Sequence, residues 1–250
     1  MNLVKTHTIL NISIHSLSRK ELLQSFNSGV LFTTNIDHCV KLQHDKEFYQ
    51  VYKQADWVIC DSKILNVAAK FLGCPFKEVI PGSSFFSSFY EYHRDNVEIK
   101  IFLLGAAEGV ALKAMKDINE KIGRNIVIGA QSPSFGFEKK ESECLEIIEI
   151  INKSGANVLV VGVGAPKQEK WIMKHKHLLT MDAFMALGAT IDFEAGNIKR
   201  APKIYQNMGL EWLYRLIKEP RRLWKRYLVN DMSFFLYLLR TKMGRYKKGA

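Results

Sequence analysis

Five turns in this chain of 250 residues collect side chains that can bind and act on a polar ligand: Thr33, Asn35 and Asp37; Asp61; Gln131; Gly162, Gly164, Lys167, Gln168 and Glu169; and Asp192. Asp61 is the most pointed, because it directly follows the apolar run "DWVIC". A carboxylate at a strand end, partly withdrawn from water, has its pKa raised toward that of a general base. The same place suits an Asp that caps the helix behind it, and the residue type leaves both readings open. In "VVGVGAPKQEKWI", residues 161–173, a β-branched run enters a glycine-bearing turn, and Pro166-Lys167-Gln168-Glu169 then opens a helix. A helix start there offers unpaired N–H groups and a positive dipole end to an anion, and Pro166 suits its first turn. The competing reading makes Gly162 and Gly164 a tight connection and nothing more. Asp192 and Glu194 flank Phe193 and read equally as ligand contacts and as turn formers.

Other chemistries lack their residues. The seven histidines form no HExxH, and His175 and His177, two apart on a predicted helix, point to different faces, so no metal site is expected. GxSxG, GxxxxGK[ST] and GxGxxG with a following acidic residue are all missing, which argues against a serine hydrolase, a P-loop enzyme and a simple dinucleotide fold. Cys39, Cys60, Cys74 and Cys144 form no CxxC pair, which suggests neither zinc nor a disulfide framework and points to a reducing cytoplasm. The N-terminus does not read as a signal peptide, and no apolar run approaches the ~18 residues of a spanning helix.

The elements that must position these turns are legible in the pattern. With 47% hydrophobic and 11% aromatic residues the chain can bury one α/β core with a modest appendage. "GVLFTTNIDHCVKLQHD", "ADWVICDSKILNVAAKFLG", "VEIKIFLLGAAEGVALKAMKDINEKIG" and "ANVLVVGVGAPKQEKWIMKH" each read as strand, turn and helix, with two further short strands around 125–129 and 183–187. Continuous Val/Ile/Leu strands alternating with helices predict a Rossmann-like, mostly parallel sheet covered on both faces. Ligands then bind at the carboxyl ends of the strands, where turns distant in sequence converge.

Beyond Gly196 the pattern changes, giving a body at 1–196 and a basic helical appendage at 197–250. From Lys199 onward there are 14 Lys and Arg against 3 Asp and Glu, so this segment carries the whole net charge of +11 and the body is neutral. Short apolar stripes rich in Trp, Tyr and Arg, interrupted at Pro220, suit helices lying on an anionic membrane surface. Two other readings compete. The helices pack on the body with solvated cations, or Trp212, Trp224 and Tyr227 among the arginines hold single-stranded nucleic acid.

Taken together, "TTNIDHCVKL", "ADWVICDS", "GVGAPKQEKWI", "ALGATIDFEAGNIKRAP" and "GLEWLYRLIKEPRRLWKRYL" resemble the WecG/TagA/CpsF family of bacterial glycosyltransferases (glycosyltransferase family 26), in order and over nearly the whole chain. The resemblance implies an inverting enzyme of cell-surface polysaccharide or teichoic-acid biosynthesis, with no obligatory metal and no cofactor. It would move a sugar, often of the N-acetylmannosamine type, from a UDP-sugar to a polyprenyl-diphosphate-linked sugar. It implies Asp61 as general base, Thr33 and Asn35 in the pocket, Gln168 against the donor and Asp192 in the "IDF" turn. The basic segment would close over the site, with Arg215, Arg221 and Arg222 on a diphosphate, since planar Arg forks meet phosphate charge where no cation does.

The implied partners are the UDP-sugar, the lipid-linked acceptor and the inner face of an anionic membrane. A homo-oligomer is compatible with this, and nucleic acid is not expected. The sequence departs from the family where Asp61 is followed by Ser62-Lys63-Ile64 instead of Gly-x-Gly. It departs again in "EVIPGSSFF", where Val79 and Ser84 replace the usual Arg and Asp around a Thr-Gly pair. These departures support a further reading, a catalytically idle subunit of a polysaccharide-assembly complex.

Overall fold

The computed structural model describes residues 4–198, 201–202, 204–205 and 210–244. Its strands are β1 (Thr6–Ile9), β2 (Ile12–His15), β3 (Gly29–Thr34), β4 (Trp57–Cys60), β5 (Ile101–Gly105), β6 (Val127–Gln131), β7 (Val158–Gly162) and β8 (Ala183–Ala186). They form one eight-stranded sheet in the order β1-β2-β4-β3-β8-β7-β5-β6. β1 and β2 make an antiparallel hairpin at one edge, and the other pairings are parallel. The hairpin adds two strands to the six read from the sequence. Each is only four residues long and broken by polar side chains, and the turn between them places Leu10 at a positive φ of 56°.

The helices of the body are α1 (Arg19–Ser25), α2 (Ile36–Lys41), α3 (Lys46–Lys53), α4 (Lys63–Phe71), α5 (Gly82–Tyr92), α6 (Val110–Ile122), α7 (Glu141–Lys153), α8 (Lys167–His175) and α9 (Thr190–Glu194). The central strands β5 (IFLLG) and β7 (VLVVG) are buried along their whole length, as strands covered on both faces must be. β3 alternates, sending Val30 and Phe32 to one apolar layer and Leu31 to the other. The first layer includes Cys39 of α2, Phe48 of α3, Ile147 of α7 and Ile172 of α8; the second includes Leu22 of α1, Phe85 of α5, Ala114 of α6 and Ile191 of α9. The helices that follow β5 and β7 therefore lie on opposite faces, as do those that follow β3 and β8. Where connections diverge in this way, a crevice opens at the carboxyl ends of the strands.

The tail contains α10 (Glu211–Lys218), α11 (Pro220–Lys225), a π-helical turn (Arg226–Asn230) and α12 (Ser233–Lys242). In the π turn the Asp231 N–H donates to the Arg226 carbonyl five residues back, at 2.8 Å. α12 buries Phe234 and Leu238 in the same layer as α2, and burying one such side chain contributes about 1.5–3 kcal/mol. Tyr237 Oη also meets His44 Nε2 at 3.0 Å, and Lys242 Nζ donates to the Phe71 carbonyl at 3.0 Å. The end of the tail thus shares the body's core, while Ile217, Trp224, Leu228, Val229, Leu236 and Leu239 are exposed.

Candidate active site

The ends of β3 and β4 lie side by side, because the Asp61 N–H donates to the Thr34 carbonyl at 2.9 Å. Helix α4 behind them is capped by Ser62, whose Oγ accepts from the Leu65 N–H at 3.3 Å. The cap reading of Asp61 thus passes to its neighbour, and Asp61 stands half-buried at the strand end. Thr33 is buried, its hydroxyl donating to the Ala186 carbonyl of β8 at 3.4 Å. Gly82 brings the start of α5 down onto these ends, since a Cβ there would lie 3.2 Å from Thr33 Cγ2 and 3.3 Å from Leu187 Cδ2. Asn35 uses its carboxamide oxygen to cap α2, accepting from the His38 N–H at 3.2 Å.

On the other side three glycines allow the backbones after β5, β7 and β8 to touch. A Cβ on Gly105, at φ +139°, would sit 2.5 Å from the Gly162 carbonyl oxygen, and one on Gly162 would sit 2.6 Å from that of Gly188. Gln168, in the first turn of α8, bridges the two neighbouring turns: its Oε1 accepts from the Gly164 and the Gly188 N–H, each at 3.1 Å. Its Nε2 donates to Glu169 Oε1 at 2.8 Å. Glu169 is fully buried, and burial pushes its carboxyl up to about 7. Pro166, joined to Ala165 by a cis bond, is the cap residue of α8 and precedes its first helical residue, and no side chain caps the N–H groups there.

Between these walls lies a polar cluster on α2, α3 and the tail. Asp37 accepts from Lys41 Nζ at 2.8 Å and pairs with Arg226 at 3.4 Å, and Lys41 Nζ also donates to the Ala165 carbonyl at 3.2 Å. Buried Asp231 beyond the π turn is pushed up to about 6, first by burial and then by the nearby Asp37 charge. Burial drives His38 down to about 3, so the neutral ring holds Tyr52 Oη at Nδ1, 2.5 Å away, and Thr34 Oγ1 donates to the same phenol at 3.3 Å. Arg215 of α10 stacks its guanidinium 6.0 Å from the Phe193 ring centre, next to Asp192 on α9.

A family model described as the Glycosyl transferase WecG/TagA/CpsF family matches residues 7–248. The chain belongs to the WecG/TagA/CpsF family of glycosyltransferases. Among curated relatives, the N-acetylglucosaminyldiphosphoundecaprenol N-acetyl-beta-D-mannosaminyltransferase of Bacillus spizizenii is 28% identical over 203 residues, which is 81% of this chain and 76% of the relative.

In this WecG/TagA/CpsF enzyme the fold gathers Thr33, Asn35, Asp61, Gly162, Gly164, Gln168 and Glu169 at adjoining strand ends, with Asp192 and Arg215 at the rim. Gln131 is not brought to them. It ends the edge strand β6, five strand positions from β4, or about 24 Å at the usual strand spacing. Lys167 turns outward, its Nζ 3.9 Å from Glu138 and 4.7 Å from the Phe135 ring centre. Gln168 and Glu169 face inward, so their side chains shape the turns from behind. Arg221 is exposed on α11, and the Arg222 side chain lies outside the described residues. Glu194 is structural: it accepts from Ser87 Oγ and Tyr90 Oη, each at 2.9 Å, and ties α9 to α5. Sequence reading did not single out Lys41, Tyr52, Arg226 or Asp231. The Asp37–Lys41 spacing of four on a helix was the available signal for Lys41, whereas the Arg226–Asp37 pair spans the chain and leaves no local trace.

Proposed function

We propose that this glycosyltransferase moves an N-acetylmannosamine-type sugar, or a related hexose, from a UDP-sugar to a polyprenyl-diphosphate-linked sugar, with inversion and without a metal, at the inner face of the cell membrane. The observation that carries this reading is Asp61, placed at the end of β4 beside Thr34 with the capping of α4 left to Ser62. In the proposed reaction Asp61 takes the proton of an acceptor hydroxyl. The hydroxyl oxygen bonds to the anomeric carbon on the face opposite UDP, and the bond from that carbon to the phosphate oxygen breaks. UDP leaves with the electron pair, the configuration inverts, and the proton stays on Asp61. General-base help of this kind contributes roughly 10²–10⁴-fold.

The leaving diphosphate needs positive charge. The starts of α5 and α8, which no side chain caps, and Arg215 supply it at the crevice. Metal independence draws support from the side chains: among the described residues no three His, Cys, Asp or Glu converge to hold an ion. The choice of donor and acceptor rests on the mannosaminyltransferase that is 28% identical to this chain. Membrane docking rests on the exposed apolar residues of the tail interleaved with exposed Arg221, Lys225 and Arg240. Apolar side chains at that density suit lipid better than nucleic acid, and each cation near an anionic surface adds about 1 kcal/mol. Among the described residues no helix is long and apolar enough to cross a membrane.

The decisive experiment incubates the protein with a panel of UDP-sugars and a short-chain lipid-diphosphate-sugar in excess chelator, with mass detection of the product. Transfer of one added aminosugar is expected. Transfer that needs added magnesium or manganese, or none from any UDP-sugar, overturns the reading.

A further inference from the structure

Gln168 and Glu169 form a unit that ordinary packing does not require. A carboxamide oxygen has two lone pairs, and on Gln168 both are taken, by the N–H of Gly164 after β7 and of Gly188 after β8. The reversed amide would point NH2 at two donors and lose both bonds. What fixes the amide from behind is Glu169, whose Oε1 accepts from Gln168 Nε2 at 2.8 Å. Glu169 is fully buried and its Oε2 has no hydrogen-bond partner. A buried carboxyl is costly, and an apolar side chain would fill the space with less penalty.

We infer that Glu169 is a positioning residue: it locks the Gln168 carboxamide so that one oxygen clamps the turns after β7 and β8, and the clamp sets the spacing of the backbone that receives the sugar nucleotide. The inference rests on the reading of the crevice as a UDP-sugar site. It replaces direct ligand contact by Gln168 and Glu169 with control of Gly164 and Gly188. The same turns are in backbone contact at Gly162 and Gly188, so a small change in the clamp moves both.

The test exchanges the donor and the acceptor of the pair in the full chain. Gln168→Glu alone sets two buried carboxyls against each other. Adding Glu169→Gln restores one donor facing one acceptor and still leaves a carboxylate oxygen for the two glycine N–H groups. For Gln168→Glu we expect hydrogen exchange at the Gly164 and Gly188 amides to quicken by about tenfold or more, and the donor KM to rise by a similar factor with kcat changed much less. The double variant is expected to recover most of both effects. Native exchange in a folded Gln168→Glu, or no recovery in the double variant, overturns the proposal. Should Gln168→Glu fail to fold, a double variant that folds and protects both amides supports the clamp, and one that does not fold overturns it. If no UDP-sugar is turned over, the exchange result still decides the clamp, and only the reading of the crevice fails.

Discussion

The turns after β7 and β8 are joined by uncharged N–H groups converging on one carboxamide oxygen, with a fully buried carboxyl behind it. The tail is joined to α2 by the Arg226–Asp37 pair, in which the Arg side chain keeps 32% of its exposure, and by the insertion of Phe234 and Leu238. Hydrogen bonds in a dry site hold one geometry and are indifferent to salt, whereas a partly exposed ion pair is screened and adjustable. The difference separates a body built to fix a ligand from a tail whose apolar anchor is firm and whose polar grip is tunable.

Loss of chemistry from the fixed side has the largest expected effect. Asp61→Asn should leave folding intact and lower turnover by roughly 10²–10⁴-fold in a transfer assay. A variant with near-native turnover returns Asp61 to a structural role. On the tail side, Phe234→Ala should cost about 3–5 kcal/mol in equilibrium denaturant unfolding, because α12 then leaves a cavity against α2. A cost near zero would mean that α12 unfolds apart from the body and that the contrast lies between two independent units.

A pH series sharpens the fixed side. Glu169 is pushed from 4.5 in the unfolded chain up to about 7 by burial, so between these values the native state holds the extra proton. The stability it contributes is full below pH 4.5 and is lost as pH rises through 7. Relative to Glu169→Gln, the wild type should therefore weaken across that window by up to about 3 kcal/mol, read from thermal unfolding at several pH values. A flat difference would show that Glu169 is ionised throughout. The smallest effect is expected at the tunable grip. A double-mutant cycle of Arg226→Met with Asp37→Asn should give roughly 1 kcal/mol of coupling at low salt and less at high salt. Coupling that ignores salt would put this pair in the dry class with Gln168.

Much of this arrangement could be read from the chain. β5 and β7 announce themselves because burial on both faces leaves no polar position, and the glycine turn after β7 follows from its composition. The hairpin of β1 and β2 does not, since an edge position lets His7, Thr8 and Ser13 interrupt the apolar pattern. Asp61 could be placed at a strand end, but two adjacent residues could cap the helix, and only the Ser62–Leu65 bond tells them apart. Gln131 misled for a different reason. Every strand has a carboxyl end, but strand order is set by crossovers that span the fold, and that order puts β6 at the edge. The Gln168 clamp joins residues 164 and 188, and the Arg226 pair joins residues 37 and 226; such meetings depend on packing rather than on local pattern.

The π turn at Arg226–Asn230 changes what a mutation in the tail does. It holds one residue more than an α turn would, between the Arg226 that grips Asp37 and the Phe234 that enters the core. Removing a single residue there relaxes the turn to an ordinary helix and swings everything after it by about 100°. Phe234 and Leu238 would then leave the core face, though Arg226 and its partner stay where they are. At this one place in the chain, a deletion acts as a rotation, and whichever face of α12 meets the body is decided by counting residues.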